Sequence, residues 1–366
     1  MTVLAGLTLH LVNLPLTVPY HVSYRVYEDF DPILVEARDA DGRIAWGEGH
    51  ISPGYSDETV AGGFAFCEAL AADMVGRATA EAKAMAQARR AESPVAASAL
   101  ITALEWLEDN PLLNLDHDVT LPLLTPFHAT DPGAIEAEVE ERLAQGFRTL
   151  KVKVGKDWRA DLARVDLVRA AAAGRAVIRL DANRGFSEGD GVSFARGLEP
   201  EGIELFEQPC ASADWEANGA VAAASRVPVM LDESIYGLDD IDRAGAMPGV
   251  GLVKLKLKKM GGVEDLRAGL ARIRELGMEP VLGDGVAADI GCWMEACVAR
   301  LGTAGGITNA GEFNGFLKTR TSLLANPMTF ADGSLRLPAG YRPEIDRGAL
   351  AAHTKDRAEF PARVNA

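Results

Sequence analysis

Three acidic side chains recur at nearly equal intervals in the middle of the chain. Glu207 follows Asp181 by 26 residues, and Asp232 follows Glu207 by 25. Each comes directly after an apolar run that predicts a buried strand, so all three are expected at the same end of successive parallel strands. Converging carboxylates repel one another unless a cation lies between them, and the pattern therefore predicts a metal site.

The kind of ligand indicates which metal. A single acid at a strand end is equally well explained as a helix N-cap or a loop acid, but three in consecutive strand–helix units weaken that alternative. Oxygen ligands alone favour Mg²⁺, which keeps positions open for water or substrate. Asn183 and Gln208 lie close beyond the first two acids and are candidates to orient them by hydrogen bonds.

Two lysines face the predicted site from one strand. One residue separates Lys151 from Lys153, so side-chain alternation puts both on the same face. A lysine inside a barrel is costly unless an anion lies nearby, and a closed barrel has no edge strand on which the pair could point outward. Lys151, the metal ion and burial are each expected to lower the pKa of Lys153, which makes it a candidate general base.

More lysines follow on the other side of the acids. Alternation does not decide which of them face inward, but it places Lys254 and Lys256 together near a strand end and leaves Lys258 and Lys259 for the following loop. Lys153 and Lys256 would then act as two proton carriers on opposite faces of a bound carbon acid. The metal would hold its carboxylate and stabilise the dianion formed when the α-proton leaves.

These residues need a scaffold that brings strand ends together. Between the apolar runs lie amphipathic or alanine-rich stretches that predict helices, such as 134–144, 162–172 and 263–276. Eight strand–helix units, spaced by roughly 25 residues, predict an α/β fold, a (β/α)₈ barrel of TIM type with its active site at the carboxyl ends of the strands. The predicted strands lie near residues 121, 149–154, 177–180, 204–206, 229–231, 251–257, 280–282 and 306–308.

The first third of the chain has a different pattern of predicted elements. A predicted hairpin over 32–48 and alanine-rich helical patterns over 57–107 show no β–α alternation. We therefore predict an α+β capping domain over residues 1–117 and a catalytic barrel over 118–334. The tail, 335–366, is expected to fold back onto the capping domain.

Composition excludes several classes of function. The chain has 366 residues and a formal net charge of −16, which argues against nucleic acid because phosphates demand a basic face. It has no apolar run near the length of a membrane span and no basic segment followed by an apolar one, so a cytoplasmic protein without membrane contact is expected. The four cysteines form no C-x-x-C pair and are expected to be reduced core thiols.

The order of the motifs resembles a known family. K-x-K, D-A-N, E-Q-P, D-E-S and K-L-K-x-x-G-G, in that order, are similar to the muconate-lactonizing branch of the enolase superfamily, whose sites use lysine bases and Mg²⁺. The resemblance spans nearly the whole chain. It implies metal ligands at Asp181, Glu207 and Asp232, acid/base lysines at Lys153 and Lys256, and Lys151 as the neighbour that tunes Lys153.

Two loops of the capping domain are implied to cover the substrate. By resemblance they are the segment from Tyr20 to Tyr27 and the segment from Ile51 to Tyr55. Tyr20, His21, Tyr24 and Tyr55 are candidates for substrate contact, with ordinary surface aromatics as the alternative.

Two acids depart from the family pattern. Asp284 lies between two glycines at the end of the seventh predicted strand, and Glu312 follows the eighth. Asp284 is equally typical of a turn, but both acids are candidates to bind a positively charged nitrogen of the substrate. The D-x-D pattern that is typical of dipeptide epimerases is missing here, which counts against a dipeptide substrate.

The chemistry predicts abstraction of an α-proton from a small amino-acid or imino-acid carboxylate through an enediolate. We predict dehydration of a 3-hydroxyproline-like substrate, because the site is expected to be polar and compact. The first alternative is a racemase or epimerase of an amino-acid derivative or of proline betaine, as the same proton abstraction leads there. The second is a non-catalytic barrel that binds a metabolite. The resemblance also implies a homo-oligomer.

Overall fold

The structure, a computed structural model, describes residues 2–22, 25–300 and 306–362. The candidate Tyr24 lies outside these residues. No helix within these ranges combines the length and the apolar character needed to cross a membrane.

The capping domain begins with antiparallel strands followed by helices. Strands β4 and β5 form the predicted hairpin, with Arg38 opposite Ile44. Helix α3 lies directly against β5 because Gly47 has no side chain, and a Cβ there would lie 2.0 Å from the carbonyl oxygen of Ala99. The elements are β1 (Leu4–Val12), β2 (Leu14–His21), β3 (Val26–Phe30), β4 (Ile33–Asp39), β5 (Ile44–Gly49), α1 (Val60–Met74), α2 (Thr79–Ala88) and α3 (Pro94–Leu107).

The barrel follows as alternating strands and helices. In the described residues seven parallel strands, β7 to β13, lie side by side in chain order, which confirms the predicted barrel architecture with its capping domain. The elements are β6 (Val119–Pro122), β7 (Thr125–Phe127), α4 (Pro132–Ala144), β8 (Thr149–Lys153), α5 (Trp158–Ala172), β9 (Val177–Asp181), α6 (Glu188–Gly197), β10 (Ile203–Glu207), α7 (Trp215–Ala224), β11 (Val229–Leu231), α8 (Leu238–Gly245), β12 (Val250–Leu255), α9 (Leu257–Met260), α10 (Val263–Glu275), β13 (Glu279–Leu282) and α11 (Asp289–Ala299).

The first and last predicted barrel strands differ from the structure. The strand containing Leu121 is β6, which lies outside the barrel sheet and pairs with the later strand β15. The barrel strand next to β8 is β7. Residues 306 and 308 form bends, and none of residues 306–308 belongs to a strand. The barrel closes a few residues later, where Glu312 donates its N–H to Leu282 O (2.9 Å) and Leu124 donates to Gly311 O (3.0 Å). In the part of the chain that the structure describes, the backbone pairing at the eighth position rests on Gly311 and Glu312, which form a bridge rather than a full strand.

The C-terminal elements return to both parts of the chain. Strand β15 pairs with β6, and β16 pairs with β1, with Gly6 opposite Pro361. The second pairing makes a sheet in the order β16–β1–β4–β5. The elements are β14 (Thr329–Ala331), β15 (Ser334–Leu337), α12 (Arg347–His353) and β16 (Thr354–Pro361).

Two buried glutamates of the capping domain hold the barrel. Glu48 accepts hydrogen bonds from the N–H groups of Ile290 and Gly291, both at 3.0 Å, at the start of α11. Glu105 accepts from the N–H of Val263 (2.8 Å), the first residue of α10. Because a carboxylate satisfies the free N–H groups of a helix start, each contact ties a barrel helix to the capping domain.

A small apolar cluster fills the barrel interior. Three of its members are each followed, two residues later, by a polar residue: Glu207, Asp232 and Lys254. Because side chains alternate along a strand, these polar groups point to the same interior face as the apolar cluster. The four apolar residues are Leu205, Met230, Leu252 and Val281.

Candidate active site

The three predicted acids meet at the carboxyl end of the barrel. Asp181 ends β9, Glu207 ends β10, and Asp232 directly follows β11. Their strands are neighbours in the sheet, and all three side chains are buried. The structure thus brings together the acids that the spacing predicts to converge.

Lys151 lies between carboxylates. Its Nζ is 2.9 Å from Asp181 Oδ2, 3.0 Å from Glu207 Oε2 and 2.8 Å from Glu312 Oε2. Burial opposes a charged lysine, but these three carboxylates hold the pKa of Lys151 well above its usual range. Lys151 is therefore an ammonium group that neutralises the acids around it.

Lys153, at the end of β8, also contacts the first acid. Its Nζ donates to Asp181 Oδ2 and to Asn183 Oδ1, both at 2.6 Å. Asn183 in turn donates through Nδ2 to Glu233 Oε1 at 3.2 Å. Asn183 has a φ of 41°, and this left-handed backbone turns the chain sharply after the strand.

Lys256 contacts the third acid from the other side. Its Nζ lies 2.8 Å from Asp232 Oδ2 and donates to the hydroxyl of Tyr55 at 2.9 Å. Tyr55 donates its own proton to Asp232 Oδ1 at 3.0 Å. Burial lowers the pKa of Lys256, but Asp232 and then Asp284 outweigh it and raise that pKa above its usual range.

Gln208 orients Asp232 rather than Glu207, the acid that precedes it in the chain. Its Oε1 accepts from the N–H of Asp232 (2.9 Å) and of Ser234 (3.2 Å), and its Nε2 donates to Ser234 Oγ at 2.8 Å. Gln208 thereby fixes the backbone that carries Asp232.

Four of the predicted substrate-binding residues line one cavity of about 30 Å³ with lysines and acids of the site, and His21 is not among the described residues that line it. The four are Tyr20, Tyr55, Asp284 and Glu312. Tyr20 is buried rather than on the surface. Glu312 is bonded to Lys151 and Lys254, and Asp284 Oδ1 lies 2.9 Å from Lys258 Nζ. Both acids already have cationic partners, so their contact with a substrate nitrogen stays a prediction.

Lys258 and Lys259 lie in the site, and their predicted place in the loop after the strand is wrong. They belong to α9, one turn of helix that begins directly after Lys256, and both are buried. Lys259 Nζ is 2.9 Å from Asp232 Oδ1, and burial together with Lys256 lowers the pKa of Lys259 to about 8. Alternation along a strand could not place them because the strand ends before them.

Sequence reasoning missed Glu295. This residue lies in α11, and its carboxylate accepts hydrogen bonds from the N–H groups of Leu257 (2.9 Å) and Asp284 (3.2 Å). It therefore joins the backbone beside Lys256 to the loop after β13. The signal in the sequence is a single acid within an apolar helical run, since a buried charge needs partners.

The carboxylates fit Mg²⁺ by their chemistry. Within the described ranges, no group of three His, Cys, Asp or Glu side chains is already placed to hold an ion, because Lys151 lies between Asp181 and Glu207 while Asp232 faces Lys259. Burial and then the charge of Asp181 raise the pKa of Glu207, a repulsion that a cation would relieve. Ion binding would require the lysine ammonium groups to move aside.

A parallel barrel that holds three carboxylates between two lysines at its mouth defines a class of metal-dependent acid/base enzymes. Residues 134–343 match the enolase C-terminal domain-like family. The chain belongs to this family, and enzymes of the enolase superfamily use Mg²⁺ with lysine or histidine bases.

Similar proteins cover most of the chain. The L-Lys-D/L-Arg epimerase of Methylococcus capsulatus is 30% identical over 279 residues, 72% of this chain and 77% of its own. The L-Ala-D/L-Glu epimerase of Bacillus subtilis is 25% identical over 350 residues, 89% of this chain and 92% of its own. A crystal structure of a dipeptide epimerase from Cytophaga hutchinsonii, with Mg and D-Ala-L-Val, has a TM-score of 0.88 at 20% identity and covers 98% of this chain and 99% of its own.

Proposed function

We propose that the protein is a Mg²⁺-dependent racemase or epimerase that inverts the α-carbon of an amino-acid derivative. The observation that carries the proposal is the position of Lys153 and Lys256. Lys153 ends β8 and Lys256 follows β12, and the three strands that bear the acids lie between these two. Two lysines that face each other across a bound carboxylate can exchange a proton at opposite faces of one carbon.

The relatives support this alternative better than dehydration of a 3-hydroxyproline-like acid. Two of them are named as epimerases, and membership of an enzyme family speaks against a non-catalytic barrel. Inversion and dehydration share the first half-reaction, so the arrangement of lysines and acids alone does not separate the two outcomes.

Asp181, Glu207 and Asp232 would hold the ion. When bound, Mg²⁺ supplies positive charge beside the substrate carboxylate. The lysines that now neutralise these acids would be released from them, and this loss of negative neighbours lowers the lysine pKa values.

The two lysines carry the proton. One of them, in its neutral form, takes the α-proton; the C–H bond breaks and its electron pair delocalises into the carboxylate as an enediolate. The opposite lysine, as an ammonium group, donates a proton to the other face and forms the new C–H bond. The lysines end with exchanged protonation states, and the reverse reaction uses them in the opposite roles.

The remaining residues hold the site in shape. Lys151 stays charged beside Glu312, Gln208 fixes Asp232, and Asn183 accepts a hydrogen bond from the ammonium of Lys153. Tyr20 and Tyr55 line the small cavity from the capping domain and limit the entry of water.

Proton exchange tests the proposal. A panel of L- and D-amino-acid derivatives, dipeptides and hydroxylated imino acids is incubated with the enzyme and Mg²⁺ in deuterated water. Inversion with deuterium at the α-carbon and no loss of water is expected. Formation of a product lighter by one water would instead establish a dehydratase.

A further inference from the structure

A second cavity, of about 410 Å³, lies beside the reaction site. Tyr55 lines both cavities. The second cavity is therefore positioned to receive the part of a substrate that extends beyond the reacting carbon. Its other polar lining residues include Asp57, Glu58, Glu92, Arg184 and Glu233.

Glu233 carries an oxygen that has no partner in the described part of the chain. The residue is only 3% exposed, and its Oε1 accepts from Asn183 and lies 3.6 Å from Arg184 Nε. Its Oε2 is buried and has no hydrogen-bond partner among the residues that the structure describes. A buried carboxylate oxygen left unsatisfied is costly, so a ligand that fills this position gains affinity from it.

The charge around the cavity selects the kind of ligand. Among the other acids, Glu58 is bonded to Ser93 and Glu92 to Arg89. Acids outnumber the one arginine in the lining, which favours a cation over an anion. Asp57 is exposed, and Glu233 is the buried acid of this lining with an oxygen that has no partner among the described residues.

The position of Glu233 sets the distance from the reacting carbon. Asn183 bridges Lys153, the proposed base, and Glu233 by hydrogen bonds of 2.6 and 3.2 Å. Since a whole side chain separates the two groups, a nitrogen attached directly to the α-carbon does not reach Glu233. A nitrogen several bonds away does.

We infer that Glu233 binds a cationic group, an ammonium or guanidinium, that lies several bonds from the α-carbon of the substrate. The inference rests on the proposed function for the position of the reacting carbon. Asp284 and Glu312 lie 2.9 and 2.8 Å from lysine Nζ atoms. Glu233 is paired more loosely, at 3.6 Å from Arg184 Nε, and its Oε2 has no hydrogen-bond partner among the described residues. Cation binding is therefore assigned to Glu233.

Matched ligands test the inference by binding, which needs no turnover. Calorimetry with Mg²⁺ present compares Nα-acetyl-L-lysine with Nα-acetyl-L-norleucine, which lacks only the ammonium group. The wild type is expected to bind the lysine derivative roughly 10- to 100-fold more tightly. In Glu233→Gln this preference disappears while the affinity for norleucine stays within about twofold. Two further ligands locate the cation: Nα-acetyl-L-arginine for a guanidinium, and L-alanyl-L-norleucine for an N-terminal ammonium.

The controls separate Glu233 from its surroundings. Glu92→Gln removes an acid of the same cavity that is paired with Arg89, and it is expected to keep the preference. Glu233→Asp retains the charge and is expected to keep part of the preference for the lysine derivative. This variant tests the inference if the glutamine variant does not fold. Equal weakening of both ligands, or a raised Mg²⁺ requirement, would overturn the inference. A retained preference without proton exchange would leave the binding site standing and refute the proposed racemase.

Discussion

The Nζ of Lys153 lies 2.6 Å from Asp181 Oδ2, so a proposed base is ion-paired with a proposed metal ligand. Lys256 and Asp232 repeat the relationship at 2.8 Å. A lysine whose ammonium group is ion-paired with a carboxylate is a poor base. It must first lose its proton, and losing the proton breaks the ion pair. Each lysine becomes available as a base when its carboxylate partner binds a metal ion instead. Metal binding is thereby coupled to activation of the bases.

Removal of the metal is therefore expected to abolish turnover. Dialysis against EDTA removes the cation, the lysines return to the acids, and both the electrophile and the free base are lost. Added Mg²⁺ should restore the rate. Activity is measured by α-proton exchange in deuterated water, and Glu207→Gln should raise the Mg²⁺ concentration needed for half-maximal rate.

A surface acid provides the control for this result. Glu201 is exposed, and Glu201→Gln should leave the Mg²⁺ dependence unchanged. Full activity after exhaustive chelation would contradict the metal assignment.

Loss of either lysine is expected to separate the two half-reactions. Lys153→Ala and Lys256→Ala should each reduce inversion by roughly 10²- to 10⁴-fold, the usual contribution of a positioned acid or base. Each variant keeps one lysine and should still exchange the α-proton of one stereoisomer. The measurement is deuterium incorporation into each stereoisomer followed separately by NMR.

Lys156 offers a matched control near the same strand. Its side chain is exposed, and Lys156→Ala should exchange both stereoisomers at the wild-type rate. Exchange of both stereoisomers by each active-site variant would show that the lysines do not act on opposite faces.

The repeat of strands and acids could be predicted because it is local. Buried parallel strands are continuous apolar runs, and the first polar residue after each run must reach the barrel mouth. Asp181, Glu207 and Asp232 are therefore visible in the sequence, as is Lys153 from its alternation with Lys151.

The rest depends on contacts between distant parts of the chain. Lys258 and Lys259 are buried in α9, where Lys258 contacts Asp284, about one strand–helix unit further on, and Lys259 contacts Asp232. The partners of Glu295 are backbone N–H groups, which have no sequence signature. The closing bridge at Gly311 also escapes prediction, because two residues carry too little pattern to be recognised.

Gly283→Ala is expected to disturb the seventh and eighth strand ends. Gly283 has a φ of 132°, and a Cβ there would lie 2.4 Å from the backbone carbon of Glu312. The added methyl group must push Glu312 away from its lysines, so both the free energy of unfolding and the exchange rate should fall. Urea unfolding and proton exchange measure the two effects.

Gly174→Ala separates the clash from backbone strain. Gly174 also has a positive φ, 73°, but no atom of the described residues lies within 4 Å of the position that a Cβ would take there. This variant should lose only about 1–2 kcal/mol from the left-handed backbone and keep its exchange rate. Equal effects of the two substitutions would contradict a steric role for Gly283.

Glu295 is expected to make stability depend on pH. Burial, and then the charge of Asp284, raises the pKa of Glu295 from 4.5 to about 8. Between about pH 4.5 and pH 8, the folded protein therefore keeps this proton while the unfolded chain has already released it. The stabilising contribution is fully present below about pH 4.5 and is lost as the pH rises through about 8, with a slope of up to about 1.4 kcal/mol per pH unit.

Glu295→Gln removes this titration. The free energy of unfolding, measured in urea at several pH values between about 5 and 9, should fall less steeply with pH in the variant than in the wild type. Glu48 and Glu105, whose pKa values burial raises to about 7, titrate in both proteins and cancel in the comparison. The two N–H groups bond to different oxygens of Glu295, and glutamine keeps only one of these acceptors, so a constant loss of roughly 1–3 kcal/mol should accompany the flatter profile. Parallel profiles for the two proteins would mean that Glu295 stays ionised in the fold, held so by the N–H groups of Leu257 and Asp284.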